Sequence, residues 1–459
     1  MLQSTAQEKS ALFAATLSSF MPPFMISSVN VALPAIQNEL GINAVQLSWV
    51  ATSYLLALGV ALIPAGRIGD IFGRKMVFNR GLVLFTTATF LLIFSHSFES
   101  LIVLRVLQGF GSAMYVPTGM AILTSVFPPQ ERGRVIGIYV TAVYIGLTVG
   151  PFAGGILTQQ FGWRSIFLIS APFGIASVYI TMKHIHDEWA DARGETLDIT
   201  GSIIYGISIM ALVYGASVLP DAKALFLVVG GIVGICAFIW LQLKVPYPVF
   251  EVRMFQGNRL FAFSSLAALI HYSATFAIAF FISLYLQYIK GLTPQTAGLI
   301  LVPQPVMMAL FSPLAGKLSD TIEPRKIASS GIALTALGLF LFVFLDHDTG
   351  IFWIAVNLAM IGLGFALFSS PNMNAIMGSV EKKFYGLASG TVATMRLLGQ
   401  MSSMAVAMIV FAVFIGREEI SPANYSHFLK SARIAFLIFG LLCTLGIQFS
   451  LFRGKLRTK

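Results

Sequence analysis

The sequence predicts an all-α membrane protein with about fourteen membrane-spanning helices, and both its composition and the length of its apolar runs point to that class. Of its 459 residues, 57% are hydrophobic and only 10% are charged, whereas a soluble domain carries about 25% charged residues. The apolar residues are gathered into runs of about 20 residues, the length that a helix needs to cross a bilayer. We therefore expect the lipid bilayer to be the main partner of this chain.

The apolar runs form a first set of six, a pair and a second set of six. We accordingly predict three regions: an N-terminal six-helix bundle (1–183), a polar loop with two additional spanning helices (184–258) and a C-terminal six-helix bundle (259–459). The first run is longer than the apolar core of a signal peptide, about 7–15 residues, so we expect it to be a retained helix. The predicted spans lie near 11–37, 47–66, 77–95, 99–124, 134–158, 164–183, 199–219, 223–243, 259–289, 296–316, 326–345, 351–374, 386–415 and 431–452.

The placement of basic residues predicts the orientation of these helices. If the N-terminus is cytoplasmic, the inside segments hold 21 basic residues and the outside segments hold six, and such an excess marks the cytoplasmic side. Both termini are therefore predicted to be cytoplasmic, in a multi-pass protein of a prokaryotic cytoplasmic (inner) membrane. The net charge of +10 lies in short loops rather than on one face, so we expect no nucleic-acid partner.

An internal repeat relates the two sets of six. The segment from Gly66 to Asp70 returns as Gly316 to Asp320, 250 residues later, and the glycine pair at 109 and 111 returns at 362 and 364. Two parallel repeats related by an axis along the membrane normal place a binding site at their interface near the middle of the bilayer.

Four short motifs resemble those of one transporter family, each on the expected span. Gly66-Arg-Ile-Gly-Asp-Ile-Phe-Gly-Arg-Lys75 resembles the signature loop of the major facilitator superfamily, and Arg105-Val-Leu-Gln-Gly109 resembles its fourth-helix motif. The stretch from Gly146 to Gly155 resembles its fifth-helix motif, which is associated with exporting antiporters. Asn30-Val-Ala-Leu-Pro34 and the count of spans are similar to the drug:proton antiporter branch with fourteen helices. The resemblance implies the major facilitator fold and an exporter of drugs or small metabolites, of the multidrug-resistance type, that works by alternating access.

The first of these motifs, residues 66–75, is here called the gate loop. We expect a tight turn in which glycines at 66, 69 and 73 remove side chains, with Asp70 either capping a helix or pairing with Arg74. The resemblance implies that the gate loop latches the two halves when the site faces outward. The alternative is that its charges only mark the cytoplasmic side. The predicted gate residues are Gly66, Asp70, Gly73, Arg74 and Lys75.

The helix-five motif, residues 146–155, carries glycines at four-residue intervals. Gly146, Gly150 and Gly154 share one helical face and allow another helix backbone to approach closely, and Pro151 favours a bend. Gly155 completes the motif. The resemblance implies that this packing seals one side of the cavity, and the alternative is tight packing with no role in transport.

Polar residues inside the spans are candidates for the substrate or coupling cavity. A charged side chain within a span costs about 2.5 to 3.5 kcal/mol and marks function by default. On that ground we select Arg105, with Gln108 one turn further on, and Arg396, which lies roughly 15 Å from the end of its span at 1.5 Å per residue. Snorkelling or a structural hydrogen bond is the alternative for both arginines. Asn30 and His271 complete the candidates, although a lone histidine is more often a buried hydrogen-bonding residue than a proton carrier. For the aromatic run around His271 we expect packing and lipid contact rather than a substrate cage.

One position departs from the resembled branch. The helix-one Asp of proton-coupled relatives would stand five residues before Asn30, where this chain has Met25. We place each of the 19 acidic residues in a loop or at a helix end, so protons remain an open coupling partner. Two embedded arginines without a carboxylate favour an anionic or zwitterionic solute.

Three classes of function follow from these observations. An exporter of drugs or small metabolites is preferred, a carrier of a small anionic or zwitterionic metabolite is the alternative, and a transport-dead sensor or scaffold is the third reading. The spans show no clustered His, Asp or Glu and no nucleophile–base pair, so we expect neither an enzyme, nor a metal, nor a cofactor. A small-molecule solute is the expected partner, and a monomer is the expected state.

Overall fold

A computed structural model of the chain describes residues 6–128, 131–219, 221–381, 385–416 and 418–454. Within these ranges all regular secondary structure is helical, which confirms the predicted fold class. The basic residues at 382–383, 417 and 455–459, which entered the charge argument, lie outside the described residues.

Sixteen α-helices succeed one another in the described residues. They are α1 (Ala6–Leu40), α2 (Ala44–Phe72), α3 (Arg74–Leu92), α4 (Phe98–Val126), α5 (Arg132–Phe161), α6 (Ser165–His184), α7 (Ile199–Ser217), α8 (Ala222–Gln242), α9 (Arg259–Thr275), α10 (Ile278–Leu284), α11 (Pro294–Leu301), α12 (Pro303–Thr321), α13 (Pro324–Phe342), α14 (Ile351–Gly378), α15 (Tyr385–Phe414) and α16 (Tyr425–Phe452).

These helices make up fourteen segments of spanning length. Thirteen segments in the described residues are both long and apolar enough to cross a membrane, with α9–α10 and α11–α12 each forming one of them. The remaining segment, α3, has 19 residues and is about 28 Å long at 1.5 Å per residue. It is less apolar because Lys75 and Arg80 lie in its first two turns.

Two spans are interrupted, and each interruption has a local cause. Between α9 and α10 the helix opens at Phe276 and Ala277, and the Ser403 hydroxyl of α15 accepts a hydrogen bond of 3.0 Å from the Ala277 amide. A neighbouring helix thus satisfies the freed backbone group, as a bilayer requires. Between α11 and α12 the break at Val302 precedes Pro303, which cannot donate a backbone hydrogen bond.

The chain divides into two compact units. The first comprises Met1–Ile42, Trp49–Leu212 and Gly230–Val249, and the second comprises Asn43–Ser48, Val213–Val229 and Phe250–Lys459. The division into three regions at 183 and 258 stays a prediction.

The internal repeat is visible in the packing inside each unit. A Cβ at Gly109 of α4 would lie 2.4 Å from the Tyr54 carbonyl oxygen of α2, and one at Gly362 of α14 would lie 2.3 Å from the Gln304 carbonyl oxygen of α12. Likewise Gly111 lies against Phe85 of α3, and Gly364 lies against Thr335 of α13. Each unit therefore uses a corresponding pair of glycines, which lets the second and third spans of its six-span set pack closely against the fourth.

Candidate functional site

The gate loop is helical except at one residue. Gly66 and Gly69 belong to α2 and pack against Pro117 and Thr118 of α4, where a Cβ at Gly69 would lie 2.7 Å from the Thr118 methyl carbon. Only Gly73, with a φ of 131°, adopts a conformation that favours glycine. The expected tight turn over 66–75 is thus wrong for its first two glycines, which permit helix packing instead.

An ion pair joins the end of α2 to the start of α3. The Arg74 guanidinium donates to Asp70 Oδ1 through Nε at 2.8 Å and lies 2.7 Å from it through Nη2. Arg74 Nη1 also donates to the Ser125 hydroxyl of α4 at 2.7 Å. Of the two expectations for Asp70, the pairing holds and the capping does not, because no side chain at the N-cap residue Gly73 caps α3.

The gate loop is also bonded to a segment that the sequence did not indicate. Residues 185–198, here called the linker, join α6 to α7. The linker's Glu188 accepts hydrogen bonds from the Lys75 and Met76 amides at 2.8 and 3.1 Å. Asp191 Oδ2 lies 2.7 Å from Arg74 Nη1, and Glu195 pairs with Arg67. The only signal in the sequence was that the linker is acidic, which does not specify these partners.

Arg105 lies in a polar network inside the first unit. It is 1% exposed, and its Nη1 donates to Gln108 Oε1 at 2.6 Å while its Nε donates to the Val50 carbonyl oxygen at 3.3 Å. Its guanidinium carbon lies 4.6 Å from the centre of the Tyr54 ring, a favourable cation–π distance. The charge is therefore compensated by protein groups.

Gln108 extends this network to α3 and α1. Its Nε2 donates to the Thr89 hydroxyl at 2.8 Å and lies 3.5 Å from the Met25 sulfur. Met25, where relatives of the resembled branch have an acid, thus contacts the network directly. Asn30 is buried one turn further along α1. Tyr54 and Thr89 were missed by the sequence argument because a single neutral polar residue in a span carries no pattern.

The helix-five motif forms a close contact between α5 and α1. A Cβ at Gly146 would lie 2.6 Å from the Phe20 carbonyl oxygen, and one at Gly154 would lie 2.6 Å from the Ser28 Cα atom. At Gly150 the nearest atom is the Ser27 hydroxyl oxygen, at 1.9 Å. The Ser28 hydroxyl donates to the Gly150 carbonyl oxygen at 2.9 Å. Pro151 lies inside α5, and both it and Gly155 are buried.

His271 and Arg396 both belong to the second unit but have different surroundings. His271 is fully buried, with ring centres of Phe368 and Phe365 at 4.2 and 5.1 Å. Neither of its ring nitrogens has a hydrogen-bond partner among the described residues. Arg396 is half-buried in the middle of α15.

The aromatic run around His271 is buried rather than facing lipid. Phe280, Phe281 and Tyr285 are each 0% exposed, and Phe281 packs against Phe411 and Phe436 with ring centres at 5.5 and 5.8 Å. The expected packing role of these three rings holds, whereas their expected lipid contact is wrong because none of them is exposed. Within the part of the chain that the structure describes, no three His, Cys, Asp or Glu side chains are grouped to hold a metal ion.

Comparison of the sequence with known proteins finds a matching family and similar transport and resistance proteins. The family model described as Major Facilitator Superfamily matches residues 13–197 and 264–458. The riboflavin transporter RibZ of Clostridioides difficile (strain 630) is 29% identical over 436 residues, which cover 94% of each chain. The multidrug resistance protein Stp of Mycobacterium tuberculosis (strain CDC 1551 / Oshkosh) is 30% identical over 410 residues, 88% of this chain and 76% of the relative.

A solved structure has the same fold. The inward-facing, unoccupied form of a bacterial homologue of the human lysosomal transporter Spinster aligns with a TM-score of 0.71 over 98% of both chains. The sequence identity is 17%, so this likeness concerns the fold alone.

Proposed function

The chain belongs to the Major Facilitator Superfamily, and from that premise we propose that it exports a small organic solute, a drug or a metabolite, by alternating access. Its relatives include a multidrug resistance protein and a riboflavin transporter. The first name refers to resistance to drugs and the second to transport of riboflavin, and small organic molecules of this kind are the solute class that we propose for this chain. We further propose that it resides in a prokaryotic inner membrane.

The packing of α5 on α1 is the observation that carries the proposed export. Three glycines at successive turns each bring a Cβ position within 2.6 Å of an α1 atom, so the two helix backbones are in contact along two turns of α5. A contact of this kind lets the two helices move together as one rigid element. Alternating access requires such rigid elements, because the halves of the transporter rock as bodies.

The absence of a carboxylate at Met25 bears on coupling. The Met25 sulfur lies 3.5 Å from the Gln108 amide nitrogen, so the polar network of Arg105 ends on a side chain that cannot bind a proton. We therefore propose that transport does not use a helix-one carboxylate as its proton switch.

Solute counterflow in proteoliposomes tests the proposed transport. Purified full-length protein would be reconstituted and challenged with labelled riboflavin, ethidium and a panel of charged metabolites at two pH values. We expect counterflow of at least one organic solute above protein-free liposomes. If none of the panel is exchanged by correctly folded protein, the sensor or scaffold reading replaces the proposed function.

A second candidate, a carrier of an anionic or zwitterionic metabolite, depends on Arg396. Arg105 no longer supports this candidate because its own unit compensates its charge. Arg396 is a half-buried cation in the middle of α15, and no hydrogen bond or ion pair to another described residue satisfies its guanidinium. An anionic solute would supply the missing partner.

Competition experiments separate the two candidates. If the solute is an anion, anionic metabolites should compete for counterflow better than lipophilic cations of similar size, and Arg396→Gln should remove that preference. Arg105→Gln serves as the matched control, since it removes a charge that the solute does not need and should lower stability instead. Tight binding of ethidium without competition by anions would reject the second candidate.

A further inference from the structure

We infer that the linker is a strap which holds the gate loop in position, and that Glu188, Asp191 and Glu195 are positioning residues for transport. This inference rests on the proposed transport function. The linker follows α6 and leads into the two additional helices, α7 and α8. It is therefore a segment of the added region that is bonded to the gate loop of the first six helices.

Backbone hydrogen bonds set the linker beside the gate loop independently of its side chains. The Trp189 carbonyl oxygen accepts from the Arg74 amide at 2.8 Å, and the Ala192 amide donates to the Asp70 carbonyl oxygen at 3.0 Å. Ile185 and Ala192 are buried, at 1% and 8% exposure. Two buried anchors and two backbone bonds give the linker one defined path across the gate loop.

Glu188 supplies the cap that α3 lacks. The first amides of a helix have no partner within the helix, and Gly73 offers no side chain to them. The Glu188 carboxylate accepts from the Lys75 and Met76 amides, and a negative charge at this end of a helix is favourable. The carboxylate also packs directly against Gly73, where a Cβ would lie 2.5 Å from Glu188 Cδ.

Ion pairs complete the strap on both sides of this cap. Asp191 shares the Arg74 guanidinium with Asp70, so the gate pair is held from the linker as well as from α2. Glu195 pairs with Arg67, one turn before Asp70. An exposed pair contributes little alone, but here three acids act on one ten-residue motif whose backbone is already bonded to the linker. The geometry therefore restrains Asp70, Arg74 and the start of α3 together.

Hydrogen exchange tests the strap without a known solute. Full-length protein in nanodiscs would be compared as wild type, Glu188→Ala and Asp187→Ala. Asp187 is the matched control, because it is the adjacent linker acid but accepts a hydrogen bond from Gln7 rather than from the gate loop. Losing a helix cap should speed exchange of the peptide containing the Lys75 and Met76 amides about five-fold. Equal exchange in Glu188→Ala and Asp187→Ala would overturn the strap.

A charge swap tests the positioning role in transport. Arg67→Glu and Glu195→Arg should each lower the maximal rate of riboflavin or ethidium counterflow, by about three-fold or more. The half-saturation concentration should stay unchanged, because neither residue is expected to contact solute. The double variant should regain at least half of the lost rate. A double variant as slow as the single ones would refute positioning by this pair.

The hydrogen-exchange and counterflow experiments together distinguish a failure of the strap from a failure of the proposed function. If the wild type exchanges neither solute but Glu188→Ala still speeds exchange of the gate loop, transport of these solutes fails while the strap stands. If transport is measured and exchange is unchanged, the strap fails while the proposed function stands.

Discussion

Arg105 shows how a charge inside a membrane protein is accommodated at the residue scale. Its guanidinium donates to a side-chain amide and a backbone carbonyl and lies over an aromatic ring. Each of these groups stabilises positive charge without carrying a negative one. The charge of Arg105 is therefore compensated within the first unit, and the preference for anionic solutes that its bare charge predicted loses that support.

Met25 gives the sharpest prediction at this scale. Met25→Asp would place a carboxylate beside Gln108, one hydrogen bond away from Arg105, where the arginine stabilises its charged form. The position of Met25 is fully buried, and burial opposes the arginine by favouring the protonated form, so the carboxylate can both bind and release a proton. We expect the variant to acquire pH-gradient dependence, with a transport rate that changes by about two- to ten-fold per unit of imposed gradient. Solute flux in proteoliposomes with and without a gradient measures this change.

Met25→Asn is the control for that experiment. Asparagine is similar to aspartate in size and polarity but cannot ionise. The solute flux of this variant should therefore respond to the gradient as that of the wild type does. The same response in both variants would exclude a proton switch at this position, provided that both remain monodisperse after purification.

At the element scale, the glycines of α5 differ in what a side chain would meet. At Gly154 the obstacle is the α1 backbone, at Gly150 it is a serine hydroxyl that can rotate away, and at Gly137 nothing lies within 4 Å. The sequence alone does not distinguish these three glycines from one another. The packing of α5 on α1 does, because it determines what a side chain at each position would meet.

Three alanine substitutions on α5 test this difference. Gly154→Ala should force α1 and α5 apart and destabilise the fold by about 1–3 kcal/mol. Gly150→Ala should cost less, and Gly137→Ala should be neutral or slightly stabilising, because alanine is the better helix former. Apparent melting temperatures of the purified variants give the order. Equal values for Gly154→Ala and Gly137→Ala would mean that α5 does not pack on α1 as described.

At the scale of the whole molecule, the repeated helices and the added region are held in place by different kinds of contact. Both units use glycines at corresponding positions to bring their helices together, so the duplicated architecture is reproduced in local packing. The linker, which leads into the added helices, is bonded through its backbone to a motif of the first repeat. The added pair is thereby connected to the gate loop through the chain itself.

The orientation of the chain is the prediction that belongs to this scale. The charge asymmetry of 21 to six basic residues predicts that both termini are cytoplasmic. A reporter fused after Lys459 should therefore be cytoplasmic, and one inserted after Asp221, between α7 and α8, should be external. Reporters that give the opposite compartments would reverse the orientation, and reporters on the same side would contradict the count of fourteen spans.

The sequence by itself determined the class, the helices and the family of this protein. A long apolar run crosses a bilayer as an α-helix, because a spanning segment of this kind must satisfy its backbone hydrogen bonds within itself. The fourteen predicted spans therefore correspond to helices, and α3 is recognisable despite its basic first turns. The gate loop and the helix-five motif were likewise recognisable, since their glycines and charges lie at short, regular spacings.

Only the tertiary structure decided which partners these residues have. Compensation of Arg105 depends on α2 and α4 meeting, the role of Gly69 depends on α4, and the cap of α3 comes from an acid more than a hundred residues away. Hydrogen bonds and close contacts act over about 3–4 Å, so they depend on positions that no local pattern encodes. Helix formation is a local property of this chain, whereas the function of its charged residues is a property of its packing.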